Sequence, residues 1–67
     1  MTNKVKGYRN MLNLTQKETA IKLGMSYVSY CNKENGKRDF KDNEKMKFKK
    51  MLEPHFPNIT LEEIFFS

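Results

Sequence analysis

The sequence contains few of the residues that cross-link a chain or interrupt its helices. Its 67 residues include one cysteine, three glycines, two prolines and no tryptophan. The single cysteine, Cys31, excludes an internal disulfide and favours a reducing setting. No apolar run approaches the length of a membrane span, and the first ten residues lack the apolar core of a signal peptide. We therefore expect a cytoplasmic protein with no membrane partner.

Sites for catalysis or metal binding are also poorly represented. One histidine and one cysteine do not make a metal site of the usual spacing. The sequence has no glycine-rich phosphate loop and suggests no pair of nucleophile and base. We expect a protein that is not an enzyme and that needs no cofactor, metal or small-molecule ligand.

Positive charge is confined to one part of the chain. All 13 lysines and arginines lie within residues 1–50, where five acidic residues reduce the charge to +8. Residues 51–67 contain three glutamates and no basic residue, which gives that segment a charge of −3. A basic body favours a polyanionic partner, although a merely lysine-rich, solvated surface would have the same composition.

The pattern of apolar residues and helix caps predicts helices throughout the chain. A first helix is expected over about residues 4–12. A second begins at Thr15, where Glu18 completes a capping box, and it ends at Gly24. A third runs from the cap Ser26 to about residue 34.

Two further helices are expected in the rest of the chain. One begins at a cap formed by Asp42 and ends before Pro54, and Thr60 and Glu63 repeat the capping-box spacing for the last. The lysines at positions 45, 47, 49 and 50, in the helix before Pro54, are interpreted as a solvated face, with contact to a nucleic-acid backbone as the alternative. The prediction is an all-α, compact bundle of about five short helices in a single domain, residues 1–67.

The second and third helices are joined too closely to lie antiparallel. So short a connection requires a steep crossing angle, which is the geometry of a helix-turn-helix over about residues 15–35. Met25 and Tyr30 are expected to face the core. The third helix would then expose its outer side chains to the major groove of DNA.

Several segments resemble the lambda-repressor and Cro-like (XRE family) helix-turn-helix regulators, and the Cro type of phages and prophages in particular. The resemblance covers Tyr8 to Phe40 and rests on Arg9, "LTQKETA" from Leu14, "LGMS" from Leu23 and "ENGKR" from Glu34. It implies a DNA-binding domain whose third helix reads base edges.

The resemblance also assigns roles to individual residues. It implies a structural pair formed by Arg9 and Glu34. The residues expected to contact base edges are Tyr27, Val28, Ser29 and Asn32. Those expected to contact phosphates are Gln16, Asn35, Lys37 and Arg38.

Three residues depart from the family pattern: Thr19, Tyr30 and Lys33. Tyr30 is larger than the usual side chain, so either the third helix is displaced or the tyrosine hydroxyl reaches a phosphate. Lys33 replaces an apolar residue, and we expect its stem to lie along apolar surface with the ammonium in water.

The chain ends in many large apolar residues. Some are needed to close the core, and the surplus in residues 56–67 suggests a twofold interface. The dimer candidates are Phe56, Ile59, Phe65 and Phe66. A homodimer would read a pseudo-palindromic operator with half-sites about 34 Å apart.

The resulting hypothesis is a transcriptional repressor that acts by occupying a double-stranded DNA operator. Two alternatives on the same fold are a modulator that binds a partner repressor and an antitoxin that binds a toxin.

Overall fold

The computed structural model describes residues 3–66 and, within them, contains helices and no strands. The helices are α1 (Val5–Met11), α2 (Gln16–Leu23), α3 (Tyr27–Glu34), α4 (Asp42–Leu52) and α5 (Leu61–Phe65). The Cα radius of gyration is 10.7 Å, close to the value of about 11 Å expected for a compact chain of this length. The expected all-α, compact fold of five short helices is confirmed.

Side-chain caps fix where α2 and α3 begin. Thr15 Oγ1 accepts from the Glu18 N–H at 3.0 Å, and a Glu18 carboxylate oxygen accepts from the Thr15 N–H at 2.9 Å. Ser26 Oγ accepts from the Ser29 N–H at 3.2 Å at the start of α3. The caps predicted for α2 and α3 are therefore both present.

Gly24 terminates α2 in the left-handed conformation, with φ of 72°. Glycine adopts this conformation without the steric cost of a Cβ atom. The Met25 N–H then donates to the Ala20 carbonyl at 2.9 Å, which folds the chain back against α2 before α3 begins. Only three residues separate the two helices.

Asp42 does not cap α4, contrary to the expectation. The cap residue is Lys41, and Asp42 is the first residue of the helix. A Glu44 carboxylate oxygen accepts from the Lys41 N–H at 2.8 Å, which satisfies a backbone donor that the start of a helix leaves unpaired.

The core contains residues from every helix and from the segment before α4. Phe40 lies edge-to-face with Tyr30 of α3 and with Phe65 of α5, at centroid distances of 6.2 and 5.4 Å. Phe65 in turn lies 6.1 Å from Phe48 of α4. The buried apolar residues are Val5, Ala20, Leu23, Tyr30, Phe40, Phe48, Leu52, Ile59, Ile64 and Phe65.

Thr19 occupies a fully buried position that usually suits an apolar side chain. Its hydroxyl donates to the Thr15 carbonyl at 3.0 Å. Because that bond satisfies the hydroxyl within α2, the threonine can be buried without an unpaired polar atom.

Candidate nucleic-acid interface

The outer side of α3 exposes two large side chains near its first turn. Tyr27 is 52% exposed and Val28 is 67% exposed, while Ser29 and Asn32 are partly buried. Val28, Ser29 and Asn32 line one wall of an open cleft. The four residues predicted to contact bases therefore all lie on α3, and three of them share one cleft.

The loop after α3 folds back on the end of that helix. The Asn32 carbonyl accepts from the Lys37 N–H at 2.9 Å and from the Arg38 N–H at 3.3 Å. Both side chains are exposed, and Arg38 lines the same cleft as Asn32. Asn35, the residue after α3, is also exposed. The predicted backbone contacts of this loop thus lie beside the predicted base contacts.

Gln16 is held by neighbouring side chains. Its Nε2 donates to Glu34 Oε1 at 3.1 Å, and its Oε1 accepts from the Tyr27 hydroxyl at 3.4 Å. The side chain thus links the start of α2 to both ends of α3. This structural role of Gln16 was not predicted from the sequence, because neither partner is adjacent to Gln16 in the chain.

Arg9 and Glu34 are brought together as a buried ion pair. Arg9 Nε lies 2.9 Å from Glu34 Oε2, and the two side chains are 10% and 1% exposed. Arg9 also donates to the Leu14 carbonyl at 2.7 Å. The pair joins α1 to the last residue of α3, so Arg9 belongs to the scaffold.

Tyr30 is fully buried, and its hydroxyl donates to Glu34. The expectation that this hydroxyl reaches a phosphate is therefore wrong. The ring fills the core against Phe40, and the hydroxyl is satisfied by the carboxylate four residues later in the same helix. The large tyrosine side chain is thus accommodated inside the protein.

The pKa values of this cluster follow from its hydrogen bonds. Burial acts to raise the pKa of Glu34, but hydrogen bonds from Arg9, Tyr30 and Gln16 outweigh it and hold the pKa below its ordinary value. Burial acts to lower the pKa of Arg9, and Glu34 more than reverses that effect. Burial and the carboxylate both raise the pKa of Tyr30. The cluster therefore contains one carboxylate anion, one guanidinium cation and a neutral phenol.

Lys33 does not extend its ammonium into water, so that expectation is also wrong. The residue is 7% exposed, and its Nζ lies 2.7 and 3.0 Å from the two carboxylate oxygens of Glu44. Burial acts to raise the pKa of Glu44, but the hydrogen bond from Lys33 helps to bring it below its ordinary value. A buried ion pair therefore joins α3 to α4.

Most of the dimer candidates belong to the core of a single chain. Ile59 and Phe65 are buried, and Phe56 packs edge-to-face on Tyr8 at 5.5 Å. Of the four, only Phe66 is largely exposed, at 57%. The expected surplus of apolar residues in the tail is thus mostly absent, because those side chains cover α1 and α4.

Within residues 3–66, no three or more His, Cys, Asp or Glu side chains cluster as metal ligands would. None of the helices in that range combines the length and apolar character needed to cross a membrane. Comparisons of the chain with family models, with curated proteins and with solved structures found no match.

Proposed function

We propose that the protein is a sequence-specific, double-stranded DNA-binding regulator of the Cro-like type, and that it represses transcription by occupying its operator. In this proposal α2 and α3 form a helix-turn-helix, and α3 enters the major groove. The observation that carries the proposal is the juxtaposition on α3: Tyr27 and Val28 are exposed, Val28 shares a cleft with Asn32, and the Asn32 carbonyl accepts from the N–H groups of Lys37 and Arg38 in the basic loop.

The side chains of α3 have the chemistry to distinguish base pairs. The Asn32 amide can donate to N7 and accept from N6 of one adenine, a pairing that no other base offers in the major groove. Val28 and the Tyr27 ring suit the methyl group of thymine, and Ser29 can bond to several bases. The operator should therefore contain A·T pairs opposite the exposed part of α3.

Phosphate contacts would flank α3 on both sides. Gln16 lies in the first turn of α2, where unpaired N–H groups favour an anion. Its amide has two donor hydrogens, so one remains for a phosphate while the other bonds Glu34. Asn35, Lys37 and Arg38 would contact the backbone from the loop after α3.

The test is a selection of binding sites from random duplexes, followed by titrations of the selected and a random duplex. Asn32→Ala should relax the preference at one base position and cost about 1–3 kcal/mol on the selected site. Lys37→Ala should weaken both duplexes alike and reduce the salt dependence of binding. Equal losses on both duplexes for both variants would contradict the assignment of α3.

A homodimer at least on the operator belongs to this proposal, because two copies of α3 about 34 Å apart would read a pseudo-palindrome. Phe66 is the tail residue whose exposure supports an interface. Analytical ultracentrifugation should show two chains per selected duplex. One chain per duplex at saturation would exclude the dimer but would not contradict the contacts of α3 with base edges.

A second candidate function is a modulator that binds a partner repressor, or an antitoxin that binds a toxin. It is favoured by Ile21, which is 70% exposed on α2 although no role in DNA contact is assigned to it. Apolar side chains left exposed beside a basic surface suit a protein partner. Failure of the selection to enrich any site, at both low and physiological salt, would favour this candidate.

A further inference from the structure

Two open clefts meet at Arg38 and Asp39. The first separates α3 from the chain before α4, with Val28, Ser29 and Asn32 on one wall and Arg38, Asp39 and Lys41 on the other. The second continues from Arg38 and Asp39 to Lys45 and Phe66. The exposed side of α3 is thus continuous, through Arg38, with the start of α4.

Three of the four basic residues that line these clefts form no ion pair with another residue in the range 3–66. The ion pairs within residues 3–66 are Arg9–Glu34, Lys33–Glu44 and Lys49–Glu53, and none of them involves Arg38, Lys41 or Lys45. Asp39 contributes one negative charge against these three cations. The surface therefore has a net positive charge and suits an anionic partner.

Lys41 is the cap residue of α4, and Lys45 lies at the end of the first turn of that helix. The Lys45 N–H donates to the Lys41 carbonyl at 2.9 Å, which joins the cap to this turn. The Lys45 ammonium lies 4.6 Å from the centre of the Phe66 ring and 5.7 Å from that of Phe65. The rings hold the lysine in place without neutralising it.

We infer that Lys41 and Lys45 contact the sugar–phosphate backbone of the same DNA strand that Arg38 contacts, so that the bound strand continues from α3 across the start of α4. This inference rests on the proposed function. It assigns a contact with the DNA backbone to Lys41 and Lys45, and it assigns none to Lys49 or Lys50. Lys49 is paired with Glu53, and Lys50, five positions after Lys45, lies about 140° around α4 from it.

The salt dependence of DNA binding tests the inference. The probe is a fluorescein-labelled duplex of about 30 base pairs and random sequence, long enough for two half-sites. Fluorescence anisotropy gives the association constant at several salt concentrations for the wild type, Lys41→Gln, Lys45→Gln and Lys50→Gln. The last variant is the matched control, because it makes the same change on the same helix but outside both clefts.

Each cleft variant should reduce the slope of log association constant against log salt by about 0.9 per bound chain, which weakens the binding of each chain about fivefold to tenfold near 0.1 M salt. Lys50→Gln should leave the slope unchanged. Asp39→Asn should tighten binding by about fivefold, because it removes an anion beside the phosphates. Circular dichroism of each variant before titration excludes unfolding as the cause of a loss.

The results separate this inference from the proposed function. If Lys37→Ala weakens binding while Lys41→Gln and Lys45→Gln behave like Lys50→Gln, the strand does not cross α4 and the inference is wrong. If the wild type shows no salt-dependent binding to any duplex, both the inference and the proposed function are overturned. A loss of slope in only one of the two cleft variants would restrict the contact to that lysine and overturn it for the other.

Discussion

Replacing Glu34 with glutamine should remove a large part of the stability of this protein. The substitution keeps the shape of the side chain and removes its charge. Donors from three residues converge on the carboxylate: Arg9, Gln16 and Tyr30. Two carboxylate oxygens can accept all of these bonds, whereas the amide nitrogen of glutamine is itself a donor and must face at least one of them.

The expected loss follows from the burial of the pair. Arg9 and Glu34 side chains are 10% and 1% exposed, and breaking a buried pair by removing one partner costs about 3–5 kcal/mol. A domain of this length has a total stability of about 3–10 kcal/mol. Glu34→Gln should therefore lose about a third or more of the total stability, and at the low end of that range it should be partly unfolded at room temperature.

Urea titrations followed by far-ultraviolet circular dichroism measure this loss. The matched control is Glu53→Gln, because Glu53 makes a more exposed ion pair with Lys49 that is worth at most about 0.5 kcal/mol. A loss below about 1 kcal/mol for Glu34→Gln, or a loss equal to that of the control, would refute the reasoning.

The same variant should change how stability depends on pH. The pKa of Glu34 is lowered by folding, so its contribution is complete above the ordinary glutamate pKa of about 4.3 and is lost as the pH falls through the folded value. The wild type should thus lose stability below about pH 4. Glu34→Gln should lose less stability than the wild type over that pH range. If the two proteins lose stability equally as the pH falls, other carboxylates cause the loss.

Three further substitutions give expected outcomes by the same titration. Gly7→Ala should stabilise the protein by about 0.5–1 kcal/mol, because no atom outside the local helix lies within 4 Å of the added Cβ and alanine is the better helix former; destabilisation would indicate a hidden contact. Gly24→Ala should cost about 1–2 kcal/mol for its positive φ alone, since the nearest atom to its Cβ is Lys47 Nζ at 3.7 Å; a neutral result would mean that the turn adopts another conformation. Tyr30→Phe should cost about 1–2 kcal/mol by removing one donor to Glu34; no loss of stability would mean that this hydrogen bond contributes nothing to folding.

The helices could be predicted because their signals are local. Thr15 with Glu18, Gly24 and Ser26 specify starts and ends through atoms no more than four residues away, and each acts as expected. The start of α4 was misassigned because Lys41 has no side-chain acceptor, so it does not resemble a cap residue. The bond that satisfies its N–H comes from Glu44, within the helix.

The errors at Tyr30, Lys33 and the tail have a different cause. Whether a lysine is solvated or paired depends on which residue packs against it, and Glu44 is eleven positions away from Lys33. Likewise, the apolar residues after Pro54 could be divided between core and surface only once their contacts with α1 and α4 were known. Local sequence patterns do not identify partners that are distant in the chain.

Lys33 and Glu34 are neighbours in sequence, opposite in charge, and bound to different helices. Turning α3 by one residue would place the glutamate opposite Glu44 and move the lysine away from it, so neither anchor could form. The two ion pairs therefore allow only one rotation of α3 about its own axis. Residues on the exposed side of α3 can consequently be exchanged during evolution while the helix keeps its orientation.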